Sequence, residues 1–166
     1  MEFEEMYTEY FSIVYSYVLS LSHDSSLAEE LTQETFFKAL KRIDTFKQGT
    51  NEKAWLCQIA KNLFFDHSKR AGKLACLDET FTEDVQQELC SDIEEAVCDK
   101  ELSIRIHKIL HKMEEPYKEV FCLRVFGELS FSEIGDIFDK SDGWARVTYF
   151  RARKKIREEI GNEYQL

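Results

Sequence analysis

Proline and glycine are scarce, at one and six in 166 residues. That leaves little material for a β-rich fold, which needs many tight turns. No apolar run approaches the ~20 residues of a membrane-spanning helix. The start, Met1-Glu2-Phe3-Glu4-Glu5, is acidic where a secretory leader needs positive charge, so a cytoplasmic chain without membrane insertion is expected. Cysteines number five, at 57, 76, 90, 98 and 122, and none forms a CxxC pair. Structural zinc and a disulfide framework are therefore not expected, and the thiols read as reduced, some of them buried as small apolar groups. There is no glycine-rich phosphate loop and no nucleophile elbow. His107 and His111 stand four apart without a carboxylate partner motif and with Lys108 and Lys112 beside them, so they are expected at the surface. No metal, no cofactor and no enzymatic activity are expected.

What is present is charge, unevenly placed. The formal net charge is -10 at pH 7, and the composition of 43% hydrophobic and 33% charged residues suits a folded chain. Residues 72–101 hold 2 basic and 10 acidic side chains, so most of the negative charge sits in one stretch. That stretch has no sustained apolar period, and its like charges favour extension. Between Trp144 and Arg157 there are six basic residues and no acidic one. Nucleic-acid sites are read from such local clusters rather than from overall charge.

Elsewhere the apolar residues recur at helical spacing. Helices are expected over 3–21, over 26–43 behind a Ser26/Glu29 capping box, and over 52–70. The apolar face of the second carries Leu27, Ala28, Leu31, Thr35, Phe36, Ala39, Leu40 and Ile43. Its opposite face carries Glu30, Gln33, Glu34, Phe37 and Lys41. The third helix buries Trp55, Leu56, Ile59, Ala60 and Leu63, and presents Gln58, Asn62, Phe65, Asp66 and Lys69. After the acidic stretch, Ser91 with Glu94 opens a helix to residue 113. Pro116 falls in the first turn of the next, which ends near Gly127. A Ser130/Glu133 box opens a short helix over 131–138, and the polar turn Asp139-Lys140-Ser141 leads to a helix over 142–160. Short helix, three-residue turn and basic helix form a helix-turn-helix pattern. The fold expected is all-α: two small helical domains, 1–72 and 101–166, joined by an acidic linker at 73–100.

Burying Ala145, Tyr149, Ala152 and Ile156 turns Arg146, Phe150, Arg151, Arg153 and Lys154 outward, where basic side chains meet phosphates and those near the helix start reach base edges. Arg146 is the best match to guanine, because its fork fits two acceptors on that base. Some six basic residues compete with a chain of net charge -10. Duplex affinity rests mainly on phosphate neutralisation, so the free protein should bind DNA weakly and be delivered by a larger partner.

These residues resemble a known family. Glu30-Leu31-Thr32-Gln33-Glu34-Thr35-Phe36-Phe37-Lys38-Ala39 is similar to the core-binding motif of bacterial RNA polymerase sigma factors. Ala54-Trp55-Leu56-Cys57-Gln58-Ile59-Ala60-Lys61-Asn62, with Asp66, Lys69 and Arg70, resembles their promoter-melting helix. Tyr117 to Phe121, Leu123-Arg124, Leu129 to Ile134 and Arg151 to Ile156 resemble their second domain. The two-domain layout is similar to the extracytoplasmic function (ECF) subgroup. The resemblance implies that Glu30, Gln33, Glu34, Phe37 and Lys41 dock on core RNA polymerase. It implies that Gln48, Asn51, Gln58, Lys61, Asn62, Phe65, Lys69 and Arg70 hold the melted minus-ten element of promoter DNA. Trp144, Arg146, Phe150, Arg151, Arg153 and Lys154 would meet the duplex minus-thirty-five element. An anti-sigma factor, often membrane-anchored, is the further partner implied. The family usually has Thr-Val-Lys-Ser-Arg-Leu where this chain has Trp144-Ala145-Arg146-Val147-Thr148-Tyr149, which predicts a promoter preference of its own. The alternative is a stand-alone helix-turn-helix regulator, which leaves the polymerase-docking motif idle.

Overall fold

The structure, a computed structural model, describes residues 2–47, 49–71 and 100–163. The expected linker lies outside them except for Lys100, as do Cys76, Cys90, Cys98 and the Ser91/Glu94 box. Among the described residues every regular element is helical. The first half holds α1 (Phe3–Ser22), α2 (Ser25–Lys41), a 3-10 turn (Ile43–Thr45) and α3 (Glu52–Arg70). The second holds α4 (Lys100–Lys112), α5 (Tyr117–Val125), α6 (Phe131–Ile137) and α7 (Asp142–Glu163).

Local signals set the helix ends. Glu2 and Glu5 form a reciprocal capping box at the start of α1. His23, in the left-handed region at φ 55°, ends that helix, and its N–H donates to Leu19 O at 2.9 Å. The cap of α2 is not the expected Ser26/Glu29 pair. Asp24 takes the role, its Oδ1 accepting from Leu27 N at 3.2 Å. The left-handed His23 has already turned the chain there, so the extended residue that follows becomes the cap.

In the first half α1, α2 and α3 pack on one another around Tyr17, Leu19, Phe36 and Leu56, each buried to 2% exposure or less. Thr32 and Thr35 are also buried on α2, and their hydroxyls donate to Ala28 O and Leu31 O one turn back. Leu40 departs from expectation: it is exposed, while Ala39 takes the inward place.

In the second half the turns demand glycine. A Cβ on Gly127 would lie 2.8 Å from Leu123 O, where the chain leaves α5. A Cβ on Gly135 would lie 2.7 Å from Lys140 O and 2.8 Å from Ser141 O. Gly135 therefore lets the α6–α7 turn fold tightly back, and Lys140 N donates to Gly135 O at 2.8 Å. The Ser130/Glu133 box is complete in both directions. On α7, Ala145, Ala152 and Ile156 are buried against α5 and α6, as the spacing predicts.

The halves also touch, α1 against α5 and α3 against α6. Lys53 Nζ donates to Glu128 O at 2.7 Å. Three imidazoles meet at this joint: the His23 ring lies 5.8 Å from His107 and 5.2 Å from His111. This corrects the surface placement expected for the pair on α4, since His107 is buried and His111 half-buried. Lys108 and Lys112 are exposed, while His23 just past α1 and Phe126 just past α5 lie against the histidine side.

Burial holds His23 down to about 3, with repulsion from His107, Lys118 and His111 adding to it. Burial likewise holds His107 at about 4 and lowers His111. Glu119 moves the other way, raised to about 7 by burial and by Glu115, against Lys61 and Lys118; Glu115, partly desolvated, is also raised. A base with a lowered folded pKa contributes stability that is present above its ordinary value of 6.5 and drains away as pH falls toward the folded one. The raised carboxyls oppose this, because they are favoured as pH falls. Three imidazoles outweigh them below neutrality. The melting temperature is therefore expected to fall as pH drops from about 7 to about 4, and a His23→Phe variant to show a shallower fall. Thermal melts across that range check both.

Candidate nucleic-acid and protein interfaces

Three outward faces carry the residues singled out in the sequence. The first is on α2. Glu30, Gln33, Phe37 and Lys41 are exposed there and Glu34 is half-exposed. They are tied to one another and to neighbours along the helix by weak contacts. Gln33 Nε2 donates to Glu29 Oε1 at 3.3 Å, Glu34 pairs with Lys38 at 3.6 Å, and Lys41 Nζ sits 4.3 Å from the Phe37 ring centre. Phe37 and Leu40, at 56% and 46% exposure, make an apolar pair on this charged helix. Leu40, expected on the apolar face, stands three residues from exposed Phe37 and four from buried Phe36, so spacing alone does not place it. An exposed apolar pair costs solvation unless a partner covers it.

The second face lies along α3. Gln58, Asn62, Lys69 and Arg70 are exposed and Phe65 is half-buried, its ring 5.3 Å from Phe64. Asn51 is committed to the fold, its Oδ1 capping α3 by accepting from Ala54 N at 3.2 Å. Trp55 packs inward against Phe46, ring centres 4.9 Å apart. Gln48 lies outside the described residues. Lys61 is drawn away from Gln58 and Asn62 toward the second half, its Nζ 4.2 Å from the Phe138 ring centre. The helical spacing sets Gln58, Asn62, Phe65 and Lys69 along one ridge, while the Lys61 ammonium is held over Phe138.

The third face is on α7. Arg146, Arg151, Arg153 and Lys154 are exposed, and Phe150 is 50% exposed. Trp144 is half-buried, its ring against Phe138 at 5.3 Å, so it braces the helix-turn-helix as well as opening the helix. Thr148, which replaces a basic residue of the family pattern, is only 6% exposed, and its hydroxyl donates to Trp144 O at 2.7 Å. That substitution falls on the buried side of the helix and takes nothing from the exposed face. Val147, 49% exposed beside Arg146 and Phe150, was not singled out. Small apolar side chains attract no notice among charges, though they suit the thymine methyl in a major groove.

Beneath α7, the half-buried Phe131 ring has two guanidinium groups over it. Arg124 Cζ is 4.6 Å and Arg146 Cζ 5.4 Å from its centre. Among the described residues no group of three or more His, Cys, Asp or Glu side chains is placed to hold a metal ion. Burial pushes the Cys57 and Cys122 thiols up to about 12, which makes them poor nucleophiles. Among the described residues no helix is long and apolar enough to cross a membrane.

The comparisons with known proteins cover both halves. Residues 6–74 match the family described as Sigma-70 region 2, and residues 103–156 match Sigma-70, region 4. The chain is 29% identical over 161 residues to ECF RNA polymerase sigma factor SigM of Bacillus subtilis, covering 95% of this chain and 94% of that protein. It is 30% identical over 140 residues to SigW of the same organism, covering 80% and 75%. To EcfG of Rhodopseudomonas palustris it is 35% identical over 146 residues, covering 85% and 75%. In fold it is similar to the sigma factor RpoE of Bartonella quintana, solved with the anti-sigma factor NepR, at a TM-score of 0.73 and 21% identity over 96% of each chain. It is also similar in fold to CnrH, solved with the cytosolic domain of CnrY, at 0.69 and 18%, over 96% of this chain and 88% of that one. Both halves, in this order along one chain, place it among the ECF RNA polymerase sigma factors, and it acts in transcription initiation.

Proposed function

We propose that α2 docks the chain on core RNA polymerase through Glu30, Gln33, Glu34, Phe37 and Lys41, now with Leu40 among them. Residues 1–72 form the domain that does this and that also holds the minus-ten element. There Gln58 and Asn62 hydrogen-bond unpaired bases, Phe65 stacks on one, and Lys69 and Arg70 hold phosphates. Lys61 reaches this strand once it leaves Phe138, and Gln48 and Asn51 are further contacts proposed for it. Residues 101–166 form the second domain, with α7 in the major groove of the minus-thirty-five element. Arg146 reads a base edge, Phe150 meets an apolar edge, and Arg151, Arg153 and Lys154 position the helix on phosphates, with Trp144 at the helix start. The acidic segment 73–100 links the two. Catalysis of RNA synthesis stays with the polymerase, and the chain works in the cytoplasm. An anti-sigma factor, as in the solved complex of RpoE, is the proposed inhibitor, and the Phe37–Leu40 pair suits it as well as the polymerase.

The observation that carries this reading is the apolar pair on α2 in the same chain as the basic face of α7. A stand-alone regulator has use for the second alone. Run-off transcription over a genomic promoter library, with bacterial core polymerase with and without the chain, tests it. New start sites sharing two spaced upstream elements are expected. No new starts, together with tight duplex binding by the free protein, would overturn it in favour of the regulator.

A further inference from the structure

We propose that Phe131, which lies outside the helix that enters the groove, is a positioning residue for sequence reading: its ring presets the Arg146 guanidinium. The inference rests on the assignment of Arg146 as a base reader.

Phe131 is the first residue of α6, directly after the Ser130 cap, and the reciprocal Ser130/Glu133 bonds hold its backbone. Its ring is also wedged against Tyr149 at 5.6 Å and Phe150 at 6.3 Å. It is thus a fixed platform beneath the outward face of α7. Arg124 is fixed as well, since its Nη1 donates to Leu129 O at 2.8 Å while its guanidinium lies over the same ring. Arg146 is the one of the two cations that is exposed on α7. Two like charges over one ring repel, and only the exposed one is free of a backbone tether in this pair. Arg146 is therefore the one of the pair able to reach outward from the ring.

Bidentate recognition of guanine needs the guanidinium held flat with its N–H edge outward. A free arginine loses substantial rotamer entropy in reaching that state, and stacking on an aromatic face removes part of the loss in advance while leaving the donor edge open. The contribution expected at a solvent-facing site is about two- to five-fold in base discrimination. Phe150 rests on the same ring, so one residue of α6 organises two positions of the reading face.

The test uses promoter complexes of the full chain with core polymerase. Arg146→Ala first identifies the base pair at which discrimination is lost. Four promoters differing only there are then compared for Phe131→Leu and Phe131→Tyr. The Leu variant is expected to lose about two- to five-fold of the discrimination at that pair, with core affinity unchanged, and the Tyr variant to retain it. A Leu variant that keeps full discrimination, or weakens all four promoters equally, overturns the proposal and leaves Arg146 as a base reader. An Arg146→Ala chain with no base-specific loss overturns both. A readout independent of variant folding is the Arg146 side-chain proton resonances of the unaltered chain. Ring-current shifts are expected there, and random-coil positions would overturn the preset.

Discussion

A Phe37→Ala chain is expected to bind core RNA polymerase about 30-fold more weakly while melting at the same temperature. Phe37 is 56% exposed and touches Lys41 rather than the core, so its removal leaves no cavity. In an interface the same ring becomes a desolvated aromatic anchor, the residue type that carries about 2 kcal/mol or more when it sits at the centre. Gln33→Ala with Glu34→Ala is expected to cost less, since exposed polar contacts at a rim contribute little each. Titration of labelled chain with core polymerase measures both. Unchanged affinity in Phe37→Ala would remove α2 from the docking surface.

Its neighbour behaves in the opposite way. Phe36→Ala is expected to destabilise the first half by about 3–5 kcal/mol, lowering the melting temperature by roughly 6–20 °C. Phe36 is 2% exposed and is ringed by Phe3, Tyr7 and Phe11, with centroids 6.4, 4.9 and 5.9 Å away. Truncation removes the ring on which these three α1 aromatics pack. Loss of polymerase binding in this variant should track the unfolded fraction and recover on cooling. If Phe36→Ala melted like the unaltered chain, the packing of α2 on α1 described here would be wrong. Two adjacent phenylalanines, one structural and one for a partner, are separated by 100° of helix rotation and little else.

That rotation was legible in the sequence. Period 3.6 over residues 26–43 puts Leu31, Thr35, Phe36 and Ala39 on one face and Gln33, Glu34 and Phe37 on the other, and the structure keeps that division. The same logic identified the buried stripe of α7 and the exposed basic residues beside it. The Ser130/Glu133 box was legible because both halves of a capping box are local. Ser26/Glu29 matched the same pattern and was not used, because Asp24 offered an equally good cap two residues earlier. Leu40 was misplaced because it lies at the edge of the stripe, where periodicity does not say whether a neighbouring helix reaches that far.

Sequence alone determined the all-helical fold, the division of charge, the family and the faces of single helices. The helices, their faces and the charge follow from patterns within about twenty residues, where propensity, spacing and capping act; the family follows from the resemblance of several motifs in order along the chain. Tertiary structure decided what depends on two distant segments meeting. It buried His107 against His23, drew Lys61 to Phe138 and set the Arg146 guanidinium over Phe131. Burial and ring contacts of this kind arise between elements, and no spacing within one helix encodes which neighbour will supply them.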